Sequence, residues 1–411
     1  MKLRILSQYY PPDTATTGVL LSELASGLRA KGHEIELITA QPTYNPDISA
    51  KSRETLDGVK VFRLWSTRIN KNTVMGKVLN SSTFVLSVLL HLSVSSDRTS
   101  PLLIVSNPPF LPIVGFLLRK LRGVPFVFLV HDVYPDIAVR LGYLSPNGIV
   151  QSWWNSLNAM ILRASSHIVV LSEAMRDIVA VKMTMAGVQF PAPRLSVIHN
   201  WAHGDFIRPV LKKDNRFLEK YSFEGTFIVQ YSGNLGLFQA LENVIDAATR
   251  INDPDFTFLF IGEGGKKTKL EKMAADYGLA NVKFFPFQES EMLPYSLSAA
   301  DVAIVSLEKG IDGLAMPSKL YTIMASGTPI VAFCDPNSDI AHILNVSQSG
   351  FVFQHDDIDG FVAKLKELKG DPLLLQRTKI NARRYFEEHF TFEMALAQYE
   401  KILLSLKVAY R

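Results

Sequence analysis

Short apolar, β-branched runs alternate with longer stretches of helical spacing along the whole chain, the pattern of parallel α/β domains. In the first half, strands are predicted at 3–6, 34–38, 59–64, 102–105, 126–130, 168–171 and 195–198. Between the first two, Leu20, Leu21, Leu24, Ala25 and Leu28 recur at helix spacing and Gly32 supplies a stop, which makes a β-α-β unit. Periodicity lapses at 199–215, a polar stretch with Gly204 and Pro209, so a linker is expected over 201–216. A second alternating series follows, with strands predicted at 227–231, 256–261, 282–285, 302–305, 329–332 and 351–353. The fold class expected is therefore α/β, with two Rossmann-like parallel-sheet domains, 1–200 and 217–389, facing a central cleft. A carboxy-terminal helix near 390–411 is expected to pack back on the first domain. Ligands of such sheets sit beyond the carboxyl ends of the strands, so chemistry is sought just after each strand.

A length of 411 residues suits two or three domains, and 47% hydrophobic residues exclude an extended, disordered scaffold. Forty-three Lys plus Arg against 39 Asp plus Glu leave a net charge of +4, too small for a general nucleic-acid binder. Cys334 is the single cysteine, so no internal disulfide can form and a reducing compartment fits. The first apolar run is broken by Pro11 and Pro12 without a secretory core, and a cytoplasmic location is expected. Two uncharged stretches, 78–96 and 99–118, are interrupted by polar residues such as Asn80 and by Pro101, Pro108, Pro109 and Pro112, so neither reads as a membrane span. Lys77, Arg119, Lys120 and Arg122 flank them. Two readings stay open: core helices with solvated ends, or a peripheral contact with an anionic membrane surface at the inner face of the plasma membrane.

Glycine turns follow three of the strands. The first is YYPPDTATTG, where Thr16, Thr17 and Gly18 are expected just before a helix, and Gly18 allows a diphosphate or sugar to approach backbone NH groups. The second is SGNLG, with Gly233, Asn234 and Gly236, and the third is IGEGGKK, with Gly262, Glu263, Gly264 and Gly265. An ordinary turn with a threonine cap would also explain the first, and Lys267 stands where a dinucleotide fingerprint would carry its third glycine. Together the three turns fit a nucleotide diphosphate. In the run MPSKLYTIMASGTP, Pro317 and Ser318 are expected to start a helix whose free NH groups face an anion, with Lys319 adding positive charge.

These motifs, in order over nearly the whole chain, resemble the retaining glycosyltransferases of family 4, which have the GT-B fold. HDVYPD at 131–136 is similar to that family's acceptor-side motif, and FFPF at 284–287 to one of its carboxy-terminal landmarks. Among relatives, the chain looks most like the branch that builds bacterial capsule, colanic-acid-like and O-antigen polysaccharides, fucosyl and N-acetylfucosaminyl transferases included. The resemblance implies catalytic roles for His131 and Asp132, with His131 near the transferred sugar, and acceptor-side roles for Tyr10 and Asp136. It implies donor binding by Thr17 and Gly18 near the diphosphate, and by Gly233, Asn234, Gly262 and Glu263 in the second domain. Pro286 and Phe287 would lie near the base, and Pro317, Ser318 and Lys319 would face phosphate. Thr322 would serve a ribose hydroxyl. The implied donor is a UDP- or GDP-linked sugar and the implied acceptor an oligosaccharide or a polyprenyl-diphosphate-linked chain, with no cofactor and no obligatory metal.

Two departures stand out. Where the family usually has Lys or Arg after SGN, this chain has Leu237, Phe238 and Gln239, and the two positions of the family's spaced glutamate pair fall on Leu314 and Thr322. The Asp253-Pro254-Asp255 sequence spells a metal-binding pattern of another glycosyltransferase fold, but its setting between a helix and a strand reads as a turn. No second histidine stands at ligand spacing from His131, so no metal is expected there. The alternatives are a nucleotide-sugar epimerase of similar architecture, with acid and base groups around the sugar, and a non-catalytic binding subunit of polysaccharide assembly. A sugar-binding clamp of the cell envelope is disfavoured by the missing secretory segment.

Overall fold

The computed structural model describes residues 1–43, 49–69, 73–188, 194–223, 225–236, 239–251 and 253–408. The chain forms two compact units, one of Met1–His199, Leu314–Met316 and Ala395–Arg411, the other of Asn200–Gly313 and Pro317–Met394.

The first unit contains, in order, β1 (Lys2–Leu6), α1 (Thr16–Ala30), β2 (Glu34–Ala40), β3 (Arg53–Leu56), β4 (Val59–Leu64), α2 (Val74–Ser93), β5 (Leu102–Val105) and α3 (Pro112–Arg122). It continues through β6 (Phe126–Val130), α4 (Asp136–Arg140), α5 (Ile149–Ala164), β7 (His167–Val170), α6 (Glu173–Met185) and β8 (Leu195–Val197). Its sheet runs β3-β4-β2-β1-β5-β6-β7-β8, parallel throughout except for β3 against β4. β5 and β6 are buried along their whole length, which is why they read as unbroken apolar runs. β3 is absent from the sequence reading because RETL is short and three of its four residues are polar. Its signal was the Asp57-Gly58 pair, both at positive φ (50° and 78°), which closes the hairpin to β4.

The second unit begins with α7 (Arg216–Tyr221), β9 (Phe227–Ser232), α8 (Glu242–Arg250), β10 (Phe256–Ile261), α9 (Lys267–Asp276), β11 (Val282–Phe285), α10 (Leu293–Ser298) and β12 (Val302–Ser306). Then come α11 (Lys319–Ala325), β13 (Ile330–Phe333), α12 (Asp339–Ser347), β14 (Gly350–Phe353), α13 (Ile358–Gly370) and α14 (Pro372–His389). The last helix, α15 (Phe392–Val408), joins the first unit from Ala395, where Glu400 pairs with His33 (3.0 Å) and Lys31 (2.9 Å). The second sheet is wholly parallel in the order β11-β10-β9-β12-β13-β14. In both sheets the strand order reverses beside the first strand, β1 or β9, and the loops there open a ligand crevice.

The stretch 201–216 differs from the expected linker. Arg383 of α14 donates to the carbonyls of Ile207 (2.9 Å) and Gly204 (3.1 Å), and Asn215 caps α7 by accepting from the Phe217 and Leu218 amides. Its backbone is irregular yet held, because side-chain donors replace a repeating ladder, and periodicity cannot register that.

Candidate active site

In the first unit, His131 and Asp132 emerge at the carboxyl end of β6. Both of their amides donate to Ser106 Oγ, at 2.9 and 3.1 Å, so a serine just past β5 sets the direction of the loop. Thr17 Oγ1 lies 3.3 Å from His131 Nδ1. Burial pushes the His131 imidazole down to about 4 and the Asp132 carboxyl up to about 6. At neutral pH the ring is therefore uncharged and the carboxylate ionised. Their stability effects oppose each other. The unfolded state holds the extra proton of His131 between about pH 4 and 6.5, so stability rises with pH there, whereas the folded state holds that of Asp132 between 3.8 and about 6, so stability falls. A small cavity with room for one water lies against Asp132, Ser106, Tyr134 and Lys182.

Several expectations for this unit are corrected. Thr16, Thr17 and Gly18 form the first turn of α1 rather than the loop before it, and the cap is Ala15 without a side-chain bond. A Cβ on Gly18 would stand 3.0 Å from the Tyr10 nitrogen, so its missing side chain lets the helix press against the preceding loop. Tyr10 is 1% exposed and packed in the core, out of reach of an acceptor. Asp136, expected on the acceptor side, is committed to an ion pair, with Lys182 2.7 Å from its Oδ2.

In the second unit two glycine turns interlock. The Gly233 amide donates to Ile261 O (2.8 Å), the Leu235 amide to Glu263 O (2.9 Å) and the Lys266 amide to Leu235 O (2.8 Å). A Cβ on Gly262 would fall 2.0 Å from Gly233 O, at a φ of 145°, so the turns can pass this closely only with glycine there. The Lys266 side chain, missed as a functional residue in the sequence, stiffens the pair by donating to Gln239 O (2.6 Å), Glu242 (3.0 Å) and Glu308 (2.7 Å). Asn234 O accepts from the Tyr231 hydroxyl at 2.7 Å.

Lys319 is the centre of this arrangement. Its Nζ sits 3.5 Å from the centroid of the Tyr231 ring and 3.0 Å from where a Gly233 side chain would begin. The residue is half-buried, but Nζ itself is enclosed and has no hydrogen-bond partner among the described residues. Burial pushes the ammonium down to about 7. An enclosed cation with three unused donors is costly unless an anion completes the site. Tyr231 belongs to β9 and could not be paired with Lys319 from sequence, since 88 positions separate them.

Pro317 and Ser318 lead directly into the helix, with Ser318 as its cap. α11 begins at Lys319 and has seven residues, and the Leu320 and Tyr321 amides are already bonded to Pro317 O (3.2 Å) and Ser318 O (3.3 Å). The donors left unused here are thus those of the lysine side chain more than helix-start amides. Thr322 Oγ1 donates to Lys319 O (3.0 Å) and keeps its acceptor lone pairs. Phe287 is 56% exposed with its ring edge 3.4 Å from the Gly262 Cβ position, and Pro286 beside it is exposed too. Glu263 is paired with Lys267 at 2.7 Å on the surface. Leu237 and Phe238 lie outside the described residues, while Gln239 folds back to accept from the Gly236 amide (3.0 Å). Leu314 is buried and apolar. Asp253 and Asp255 share Lys369, at 2.7 and 3.2 Å, and among the described residues no group of three metal-ligating side chains converges.

Comparison with known proteins agrees with this geometry. Residues 213–385 match the family described as Glycosyl transferases group 1, and residues 16–201 match the Glycosyl transferase 4-like domain. Glycosyltransferase WbjE of Pseudomonas aeruginosa, so named as probable, is 31% identical over 69% of this chain and 70% of its own. A protein of Escherichia coli (strain K12) that carries the name colanic acid biosynthesis glycosyl transferase WcaI is 28% identical over 97% of this chain and 98% of its own. Among solved structures, Anabaena HepE in complex with UDP and glucose superposes with a TM-score of 0.73 at 16% identity, covering 98% of this chain and 100% of that one. With both halves matched and a relative at 31% identity across more than two thirds of its length, the chain belongs to the family 4 glycosyltransferases of GT-B fold and is a sugar-transferring enzyme.

Proposed function

We propose that this enzyme moves a sugar from a UDP- or GDP-linked donor to a growing bacterial surface polysaccharide whose acceptor end is lipid-linked, with retention of configuration at the anomeric carbon. The observation that carries the reading is the enclosed, unpartnered Nζ of Lys319 beside two interlocked glycine turns, a socket suited to a diphosphate. WcaI is named for colanic acid biosynthesis and HepE was solved with UDP and glucose, and both names fit a nucleotide sugar as donor. Nothing in these relatives supports the epimerase alternative.

In the transfer, the acceptor oxygen bonds to the anomeric carbon as the bond from that carbon to the diphosphate breaks. The electron pair leaves with the diphosphate, which also receives the acceptor proton. Lys319 stabilises the charge that develops on the leaving group, and Phe287 gives the base an exposed ring to stack on. His131, uncharged at neutral pH, hydrogen-bonds the transferred sugar, and Asp132 orients the acceptor hydroxyl. A lipid-linked acceptor brings the enzyme to the anionic inner face of the plasma membrane.

A thermal-shift screen against UDP, GDP, ADP and dTDP tests the donor class, because ligand bound to the native state raises its melting temperature. The reading fails if none of the four stabilises the protein. Asp132 ionises at about 6, so kcat/KM should bend downward below that pH, and Asp132→Asn should remove the bend. A bend that survives the substitution takes Asp132 out of the reaction. Since diphosphate neutralisation rests on protein groups, transfer should continue in EDTA. Activity lost on chelation and restored by magnesium or manganese would assign that task to a metal.

A further inference from the structure

The helix α2 has two apolar sides. Phe84, Val88 and Leu92 are buried in the first unit, and Asn80 on the same side holds the backbone of Ile69 by bonds of 3.0 and 2.8 Å. Met75, Leu79, Leu86 and Leu90, spaced by four, seven and four residues, and the capping Val94 lie on the opposite side and are exposed, Leu86 at 57% and Leu90 at 61%. Met75–Ser93 is long and apolar enough to cross a membrane by composition, yet only 33% of that window is buried in the protein. Its anchored side shows that it is not a free span, and its open side is one that a globular protein normally covers.

The neighbouring surface continues this character. Lys77 lies 5.9 Å from the Tyr143 ring, bringing the amino end of α2 beside the segment that leads into α5. The first turn of α5 then exposes Ile149 (89%) and Trp153 (58%). Charge is uneven in the same region. Residues 58–172 contain 11 Lys plus Arg and 3 Asp, a net of +8, against +4 for the whole chain, which leaves −4 on the rest. Two of those three aspartates, Asp97 and Asp136, are held in ion pairs with Lys2 and Lys182. Lys77 and Lys120 are exposed. Arg122 is committed to the carboxyl end of α2, donating to Leu92 O and Ser93 O at 2.9 Å each, and the residues of 110–118 are mostly buried or half-buried, so α3 does not form the apolar contact expected from sequence.

We propose that the open side of α2, with the first turn of α5, lies in the interfacial layer of an anionic lipid bilayer, with Lys77 and Lys120 among the headgroups. This rests on the reading that the acceptor is lipid-linked and specifies which face meets the lipid. Exposed leucines at helical spacing supply insertion, the interfacial tryptophan suits the boundary, and the scarcity of carboxylates removes repulsion from anionic headgroups.

Co-sedimentation of the full chain with phosphatidylglycerol vesicles and with phosphatidylcholine vesicles, at low and high salt, tests it. The wild type should bind the anionic vesicles at least tenfold more tightly, with binding weakened by salt. The double substitution Leu86→Glu with Leu90→Glu should reduce that binding at least tenfold, while Leu373→Glu, at a still more exposed leucine of α14, should not. Thermal stabilisation by nucleoside diphosphates, measured on every variant, reports the donor site separately. Intact nucleotide binding with no vesicle binding at low salt overturns the docking face and leaves the transferase reading standing. Vesicle binding unchanged in the double variant also overturns it. A concentration-dependent dimer that the double variant abolishes, without vesicle binding, would give this face to a second copy of the chain.

Discussion

Lys319→Met should raise the stability of the ligand-free enzyme while weakening nucleoside-diphosphate binding, two shifts of opposite sign from one side chain. Folding encloses the ammonium without a hydrogen bond from the described residues, and its folded value of about 7 lies well below the 10.5 it has when free. The unfolded state therefore holds more protons between about pH 7 and 10.5, so the empty protein gains stability as pH rises through that window. A shift of that size would correspond to roughly 5 kcal/mol, but attraction to the Tyr231 ring offsets part of it, so a gain on the order of 2 kcal/mol is expected. Methionine keeps the length of the stem and fills the space without the charge. Binding should fall by about 2 to 3 kcal/mol, the range for losing a hydrogen bond to a charged group. Calorimetry at pH 8 in two buffers of different ionisation enthalpy should also show proton uptake approaching one per diphosphate in the wild type and none in the variant. A variant that melts lower and binds UDP or GDP as well as the wild type would remove Lys319 from the donor site.

Gly262→Ala should damage fold and site together. The new methyl would sit 2.0 Å from Gly233 O and 2.9 Å from the Gly233 carbonyl carbon, so the two turns would have to separate. Its φ of 145° adds backbone strain for any residue with a side chain. Overpacking and strain together should cost about 3 kcal/mol. Separation would also strain the bonds from Gly233 N to Ile261 O and from Leu235 N to Glu263 O, loosening the wall beside Lys319 Nζ. Nucleotide-induced thermal stabilisation should then be lost at temperatures where circular dichroism still reports a folded protein. Gly265→Ala is the control, because nothing lies within 4 Å of its Cβ position. Equal effects of the two substitutions would mean that the close pass of the turns is not what shapes the socket.

How much of this was legible in the residues depends on the range over which each feature is decided. Strands such as β5, β6, β10 and β13 are buried on both faces, so LLIV, FVFLV, FTFLFI and IVAF announce themselves locally. The turns that follow β9 and β10 were visible locally too, since Gly233, Gly262 and Gly264 hold backbone angles that other residues avoid. The resemblance to family 4 rested on those local motifs in order, and it identified the chemistry.

Pairings between distant positions were not legible. Tyr10 stands in a motif that looks functional, yet it is core, because burial depends on what α1 and the rest of the first unit place around it. Asp136 carries no local sign of the Lys182 that α6 brings to it. Ser106 holds the amides of His131 and Asp132 only because β5 and β6 are neighbours in the sheet. The sequence by itself determined two parallel α/β halves, the glycine turns and a lysine that an anion could use. Only the tertiary structure decided that this lysine is enclosed over Tyr231 without a hydrogen-bond partner among the described residues, and that the outer side of α2 is left apolar. A residue's type and its near neighbours set the backbone it can adopt, but desolvation and hydrogen-bond supply are set by groups from other elements, which come together only on folding.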